Sequence, residues 1–266
     1  MIEALYGDLA EIWPLLTPPG AGAEEATAFA AWLEQAAEGP VRTLLELGCG
    51  SGHLAAGLPE AWELCLVDRA PRMLALAGEQ VPRATLVEAD LRSLALGRRF
   101  DAVLLHDAVM YLASEADLQV AFTVAFAHLR PGGAFLVVPD LCADDFEEHS
   151  VAGGGELGGR AAQLLEWHWD PDPADSWYQV DFAVLLREVD GRVRCVHEQH
   201  RLGLHRAATY ARCLRRAGFS LVEPDPRLDL DLPVLFLARR PRSAAEPPAP
   251  PRSPGSGPRA RRGRST

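Results

Sequence analysis

The sequence predicts a doubly wound α/β fold: a seven-stranded, mostly parallel sheet with helices on both faces and an antiparallel β cap as an insertion. Three observations predict it. Apolar runs of strand length alternate with helix-period segments between residues 41 and 139, the pattern of a parallel sheet covered on both faces. The first run ends in three glycines at alternate positions, Gly48, Gly50 and Gly52. Such a tight strand-to-helix turn lets a ligand approach the backbone. After Asp140 the alternation stops, and three aromatic-rich stretches follow. Two of them are joined by Asp190-Gly191, a strong hairpin signal.

Taken in order, residues 2–13 place Leu5, Leu9, Ile12 and Trp13 largely on one side of a helix, which Pro14 and Pro18-Pro19-Gly20 should end. A second helix is expected over 23–37, so residues 1–38 read as a helical lid. Residues 39–140 form the core: strand 41–47, helix 52–58, strand 62–68, helix 71–81, strand 84–89, strand 100–106, helix 114–129 and strand 133–139. Residues 141–205 form the cap. It opens with an acidic, glycine-rich loop or lid over 141–159, followed by strands around 164–169, 177–189 and 192–204. Residues 206–240 return to the core with a helix stopped by Gly218, a fitting residue just past a helix end. Strands near 220–223 and 234–238 then close the sheet as an antiparallel pair. Residues 241–266 are Pro, Ser, Arg, Ala and Gly without apolar periodicity, and read as a disordered tail.

In open α/β sheets ligands bind beyond the carboxyl ends of the strands. Gly48, Asp68, Asp90, His106 and Asp140 all fall at predicted strand ends. Asp68 closes an apolar run about twenty residues after Gly48, where an acid can bond ribose hydroxyls. The rim therefore fits a nucleoside-containing ligand. The dinucleotide fingerprint needs its last glycine at the sixth position, and His53 stands there.

The run Glu46-Leu47-Gly48-Cys49-Gly50-Ser51-Gly52 resembles the first motif of the class I S-adenosylmethionine-dependent methyltransferases. Asp68 with Met73-Leu74, Ala89-Asp90-Leu91, residues 100–106 and Leu129-Arg130-Pro131-Gly132-Gly133 are similar to that family's later motifs, in order. The resemblance covers roughly residues 41–140 and extends to 206–240. It implies a Rossmann-like methyltransferase core and S-adenosyl-L-methionine as cofactor. It assigns Glu46, Gly48, Cys49, Gly50, Gly52, Asp68, Arg69, Met73, Asp90, Leu91 and His106 to cofactor binding. The cap loosely resembles that of bacterial deoxysugar N,N-dimethyltransferases.

Methyl transfer is an in-line displacement that needs no covalent enzyme intermediate. Catalysis then rests on positioning in a dry pocket, with a base for the incoming atom. His106 and Asp107 are the catalytic candidates. Two readings of His106 stand: its ring takes a proton from a hydroxyl or amine, or its carbonyl binds the cofactor amine. Tyr111 follows four residues after Asp107. Tyr6 and Trp13 can cover the cofactor, where an aromatic face attracts a sulfonium. Trp167, Trp169, Tyr178 and His197 are substrate-side candidates on the cap, with burial inside the insertion as the other account of the aromatics. Asp107, Asp140, Asp144 and Asp145 offer oxygens that suit Mg²⁺ and equally form a solvated lid; the reading takes no metal.

The chain has 266 residues and a net charge of −11, although eight arginines against one glutamate lie from Arg239 onward. The preceding body is therefore more acidic than the chain as a whole. That argues against a nucleic-acid substrate. Mean hydropathy is −0.03 and no run is long enough to span a bilayer, so no membrane partner is expected. Five cysteines without close pairing read as reduced thiols of a cytoplasmic protein. The absence of lysine and asparagine suggests a GC-rich, bacterial coding sequence. The expected activity is N- or O-methylation of a small molecule. Two alternatives share the rim: a non-catalytic S-adenosylmethionine-binding partner or sensor, and an aminopropyl transferase.

Overall fold

A computed structural model describes residues 2–18, 20–225 and 234–242. The chain forms two sheets. The first has seven strands: β1 (Thr43–Leu47), β2 (Glu63–Asp68), β3 (Thr85–Glu88), β4 (Phe100–His106), β5 (Leu129–Val138), β10 (Ser220–Val222) and β11 (Phe236–Arg239), in the order β10-β11-β5-β4-β1-β2-β3. The first five strands run parallel, whereas β11 lies antiparallel to β5 and β10 antiparallel to β11. The order reverses between β1 and β4, which is where such sheets open a ligand crevice.

The central strands read as continuous apolar runs because both faces are covered. Leu45, Leu47, Val103 and Leu105 enter one core layer, while Leu44, Leu66, Ala102 and Leu104 enter the other. The second layer holds helix α2 (Ala23–Ala36), whose Phe29 and Leu33 are fully buried. The first layer holds α5 (Glu115–His128) and α6 (Ala207–Ala217). Ser114 caps α5 by accepting from the N–H of Asp117 at 3.1 Å, and Gly218 ends α6 at φ +103°, as its sequence position predicts. The strand start at Leu129 precedes the expected one, because β5 pairs with Phe100 before an irregularity carries it to the Ala102–Ala134 register.

The second sheet is antiparallel, with strands β6 (His149–Leu157), β7 (Arg160–Trp169), β8 (Trp177–Arg187) and β9 (Val193–Gly203). Asp190-Gly191 makes the hairpin turn between β8 and β9, with Gly191 at φ +82°. Two expectations are corrected here. The glycine-rich 141–159 segment is not all loop, because β6 occupies its second half and pairs with β7 from His149↔His168 to Leu157↔Arg160. Gly154 and Gly155 permit the close approach of β6 to β7 and to Leu15. A Cβ on Gly154 would lie 2.4 Å from the Ala162 carbonyl oxygen, and one on Gly155 2.2 Å from that of Leu15.

The second correction concerns residues 2–13. They form two 3-10 turns, Ala4–Tyr6 and Ala10–Ile12, followed by α1 (Trp13–Leu16). Gly7 breaks the first turn, and Glu198 of β9 takes the backbone N–H groups of Ala4 and Leu5. Pro14 does not end a helix. It stands in the first turn of α1, where its missing N–H costs nothing. Among the described residues no helix is long and apolar enough to cross a membrane. Apart from Pro241 and Arg242, the tail expected to be disordered lies outside the described residues.

Candidate active site

A cavity of about 330 Å³ opens at the carboxyl ends of β1, β2 and β4. Its floor is the glycine turn after β1, where Gly48, Gly50 and Gly52 have φ of +75°, +54° and +80°. The N–H groups of Gly48 and Cys49 donate to the Val67 carbonyl at 2.7 and 2.9 Å. An added Cβ on Gly48 would sit 2.2 Å from that of Ala108, and one on Gly52 3.0 Å from Ala77 of α4 (Pro71–Gln80). At Gly50 only Met73 Cε comes within 4 Å, at 3.7 Å. The first and third glycines serve packing, and the second leaves its Cα bare toward the cavity. Cys49 is buried, and burial pushes its thiol up.

Asp68 closes β2 and braces this turn: Oδ2 accepts from the Gly50 N–H at 2.9 Å and Oδ1 from Ala70 at 2.8 Å. Burial pushes its carboxyl up despite those bonds. Arg69 beside it pairs with Glu3 of the N-terminal segment. Asp90 accepts from the backbone of Arg92 at 2.8 Å and from its guanidinium at 2.7 Å, which holds that carboxyl down. It caps its own turn and still borders the cavity, as do Met73 and Leu91. Glu46 is 3 % exposed, and its Oε2 has no hydrogen-bond partner. Burial, aided by Asp107 and Asp68, pushes its carboxyl up to about 8. A cradle that a Cβ would fill and an orphaned buried carboxylate are what the adenosyl and ammonium parts of S-adenosylmethionine require.

Beyond Glu46 lies a second polar group. His106 ends β4, Asp107 follows it, and Asp140 follows β5. One ligand atom of each lies within 4.8 Å of the others. His106 Nε2 is 2.6 Å from Asp107 Oδ1, and Asp140 brings an oxygen within 4.8 Å of both groups. Burial lowers His106, raises Asp107 to about 6, and raises Asp140 well above an ordinary carboxyl, with Asp107 adding to the last effect. Half of the Asp107 side chain still faces the open cavity. Its backbone is at φ +47°, ψ −51°, the only positive φ outside glycine among the described residues.

The roof comes from the N-terminal segment and the cap. Tyr6 stacks on Trp13 with ring centroids 5.7 Å apart, although the two are not on one helix as the sequence suggested. The Tyr6 hydroxyl bonds that of Tyr111 at 2.7 Å, which in turn bonds His200 Nδ1 at 2.7 Å. The cap contributes Glu166, His168, Phe182 and Leu202 to the cavity wall.

The candidates named on the cap fall elsewhere. Trp167, Trp169 and His197 stand on its outer face, with Trp167 donating to Glu148 and Trp169 to Asp181. His197 also bonds Asp181, at 2.6 Å, with 58 % of its side chain exposed. Tyr178 is fully buried on the inner face, between Phe146 and His168, and supports the wall from behind. The reason is the two-residue period of a strand. With Trp167 and Trp169 outward, Glu166 and His168 must point inward, and that alternation was the signal for the missed pair. Asp144, a candidate acid, caps α6 by accepting from the Ala207 N–H at 2.8 Å.

Comparison with known proteins adds four findings. A family model described as a methyltransferase domain matches residues 44–133. The dTDP-3-amino-3,6-dideoxy-α-D-glucopyranose N,N-dimethyltransferase of Streptomyces fradiae is 30% identical over 226 residues, covering 81% of this chain and 85% of the relative. A related N,N-dimethyltransferase of Streptomyces venezuelae, acting on the 3,4,6-trideoxy sugar, is 35% identical over 112 residues, 41% of this chain and 47% of the relative. The fold matches the sugar N-methyltransferase KedS8 from Streptoalloteichus, with TM-score 0.77 and 24% identity over 91% of this chain and 94% of that one. Neither a silent cofactor-binding partner nor an aminopropyl transferase is favoured by these likenesses. The chain belongs to the S-adenosylmethionine-dependent methyltransferases, and it transfers a methyl group from that cofactor to a small-molecule acceptor.

Proposed function

We propose that the acceptor is the amino group of a small, sugar-like molecule, methylated on nitrogen. The observation that carries this reading is the carboxyl–imidazole group of His106, Asp107 and Asp140 in the same cavity as the glycine turn. An amine that arrives as ammonium finds negative charge there and a place for its proton. A carboxylate acceptor would be repelled by the same acids. The sugar N,N-dimethyltransferases among the relatives support the same choice.

The bound cofactor supplies an electrophilic methyl group on a sulfonium. The chain's own residues do the rest. Gly50 opens the backbone to the adenosyl part, and Gly48 and Gly52 keep the turn around it tight. Asp68 takes the ribose hydroxyls and Asp90 the adenine edge, with Met73 and Leu91 on its faces and Cys49 and Arg69 beside them. Glu46 receives the amino-acid ammonium. Tyr6, Trp13 and Tyr111 cover the cofactor and keep water out, which strengthens every charge interaction beneath them. His106 and Asp107 hold the acceptor nitrogen in line, and Asp107 fixes the imidazole by its hydrogen bond. We infer that the reaction runs in the cytoplasm of a bacterium; the free cysteines and the use of S-adenosylmethionine support that reading.

The test is to incubate the protein with S-adenosylmethionine and dTDP-3-amino-3,6-dideoxy-α-D-glucose and to follow product mass. Gain of one and then two methyl groups on the amine supports the reading. Methylation of hydroxyl acceptors, with amines left untouched, overturns it.

A further inference from the structure

We propose that Asp107 and Asp140 act as one carboxyl pair that receives the acceptor's ammonium group and takes its proton. The inference rests on the N-methylation reading. Asp140 has no place in the cofactor cradle, and the pair is an assembly of neighbouring strands rather than of sequence neighbours. β4 and β5 run in register from Ala102↔Ala134 to His106↔Val138, and the Asp107 N–H donates to the Val138 carbonyl at 3.1 Å. The two carboxyl groups therefore leave adjacent strand ends side by side, each with an oxygen within 4.8 Å of the other. Two carboxyl groups so close do not both ionise readily, so the pair holds one proton.

The groups around the pair set its charge. Glu25 faces it from α2, Glu46 from β1, and Glu166 from β7. The phenols of Tyr6, Tyr178 and Tyr210 also face it, and burial keeps all three neutral. His106, lowered by burial, donates its Nε2–H to Asp107 as a neutral imidazole and brings no positive charge. With one proton the pair carries one negative charge, and it becomes neutral once Asp107 is protonated, near pH 6. The surroundings are acids, neutral phenols and an imidazole, so the missing partner is a cation.

The step balances as follows. An N–H bond of the bound ammonium breaks and its proton passes to the pair. The freed nitrogen lone pair forms the new N–C bond, the C–S bond breaks, and its electrons return to sulfur as a neutral thioether. The pair then releases the proton to water before a second transfer. Net, one proton leaves per methyl moved.

The experiment needs no acceptor. Sinefungin carries an amino group where the cofactor carries its methyl, and S-adenosylhomocysteine carries nothing there. Both are titrated calorimetrically into the whole protein from about pH 5 to about pH 8, a range that spans the protonation of a raised carboxyl. Sinefungin should bind at least ~10-fold more tightly above about pH 7, and the preference should fade below about pH 6. Asp140→Asn should abolish the preference at every pH while homocysteine-ligand affinity is kept, and Asp140→Glu should restore part of it. Asp107→Asn gives the same reading should the first variant fold poorly. A preference unchanged in these variants, or flat with pH, overturns the proposal. So does ligand binding that Mg²⁺ or Mn²⁺ tightens and EDTA weakens, because the pair would then hold a metal. If the preference behaves as stated and amino sugars are not methylated, N-methylation fails and ammonium selection stands. If amino sugars are methylated and the preference is absent, the pair alone fails.

Discussion

At Gly48 a methyl group would land 2.2 Å from the Ala108 side chain, whereas at Gly50 it would enter open cavity. The two positions therefore separate stability from binding. Gly48→Ala should lower the melting temperature markedly, by clash and by the cost of left-handed backbone, about 1–2 kcal/mol for the latter alone. Gly50→Ala shares the backbone cost but not the clash, so it should still fold; its loss should appear in calorimetry as S-adenosylmethionine affinity reduced at least ~10-fold. The glycines and Asp68 were legible in the sequence because their work is done within one turn and one strand end. Asp140 was readable as a rim acid but not as the partner of Asp107, because that contact depends on how β4 and β5 lie together. Glu166 was hidden by its neighbours, since tryptophans draw the eye toward burial while Trp167 is 47 % exposed.

The N-terminal segment shows what an element owes to a distant one. Leu5, Leu9 and Ile12 are buried as their spacing predicts. The continuous helix is lost at Gly7, whose φ −106° and ψ −104° leave the helical region; the Glu198 carboxylate then holds the free N–H groups of Ala4 and Leu5, a contact no local pattern reveals. Glu198→Ala leaves two donors without that acceptor and should cost about 1–3 kcal/mol. Hydrogen exchange at Ala4 and Leu5 should quicken, and cofactor affinity should fall as Tyr6 and Trp13 loosen. Unchanged exchange would show that the segment is held by its apolar contacts alone. On the cap, strand parity divides the aromatic residues. Trp167→Ala, on the outer face, should leave both cofactor affinity and turnover unchanged; a tenfold loss of either would place the outer face in function.

For the whole molecule, the fold class was readable because each strand end of the α/β core carries its own signal, whereas the strand order comes from the structure. That the cap borders the cavity was expected, but which of its residues reach it was not readable, since that depends on sheet-to-sheet packing. The same packing buries Glu46. Glu46 sits raised to about 8 in the folded protein against 4.5 for an unshielded carboxyl. The folded state then binds the extra proton, so stability falls as pH rises from the unfolded value through the folded one. The lowered histidines His53, His106, His128 and His205 act in the opposite direction, and only below about pH 6.5. Between about pH 6.5 and 8 the ligand-free protein should therefore lose melting temperature, and Glu46→Gln should flatten that slope. An equal slope in the variant would assign the effect to other groups.

Asp107 holds a backbone conformation near that of a γ-turn, which a side chain normally avoids and which costs of order 1–3 kcal/mol. Glycine would relieve it, and would also remove a carboxyl that its neighbours repel. Asp107→Gly should thus melt higher than the parent while methyl transfer collapses. A screen for thermal tolerance alone would drift toward that variant, so selection for robustness and selection for turnover pull this position in opposite directions.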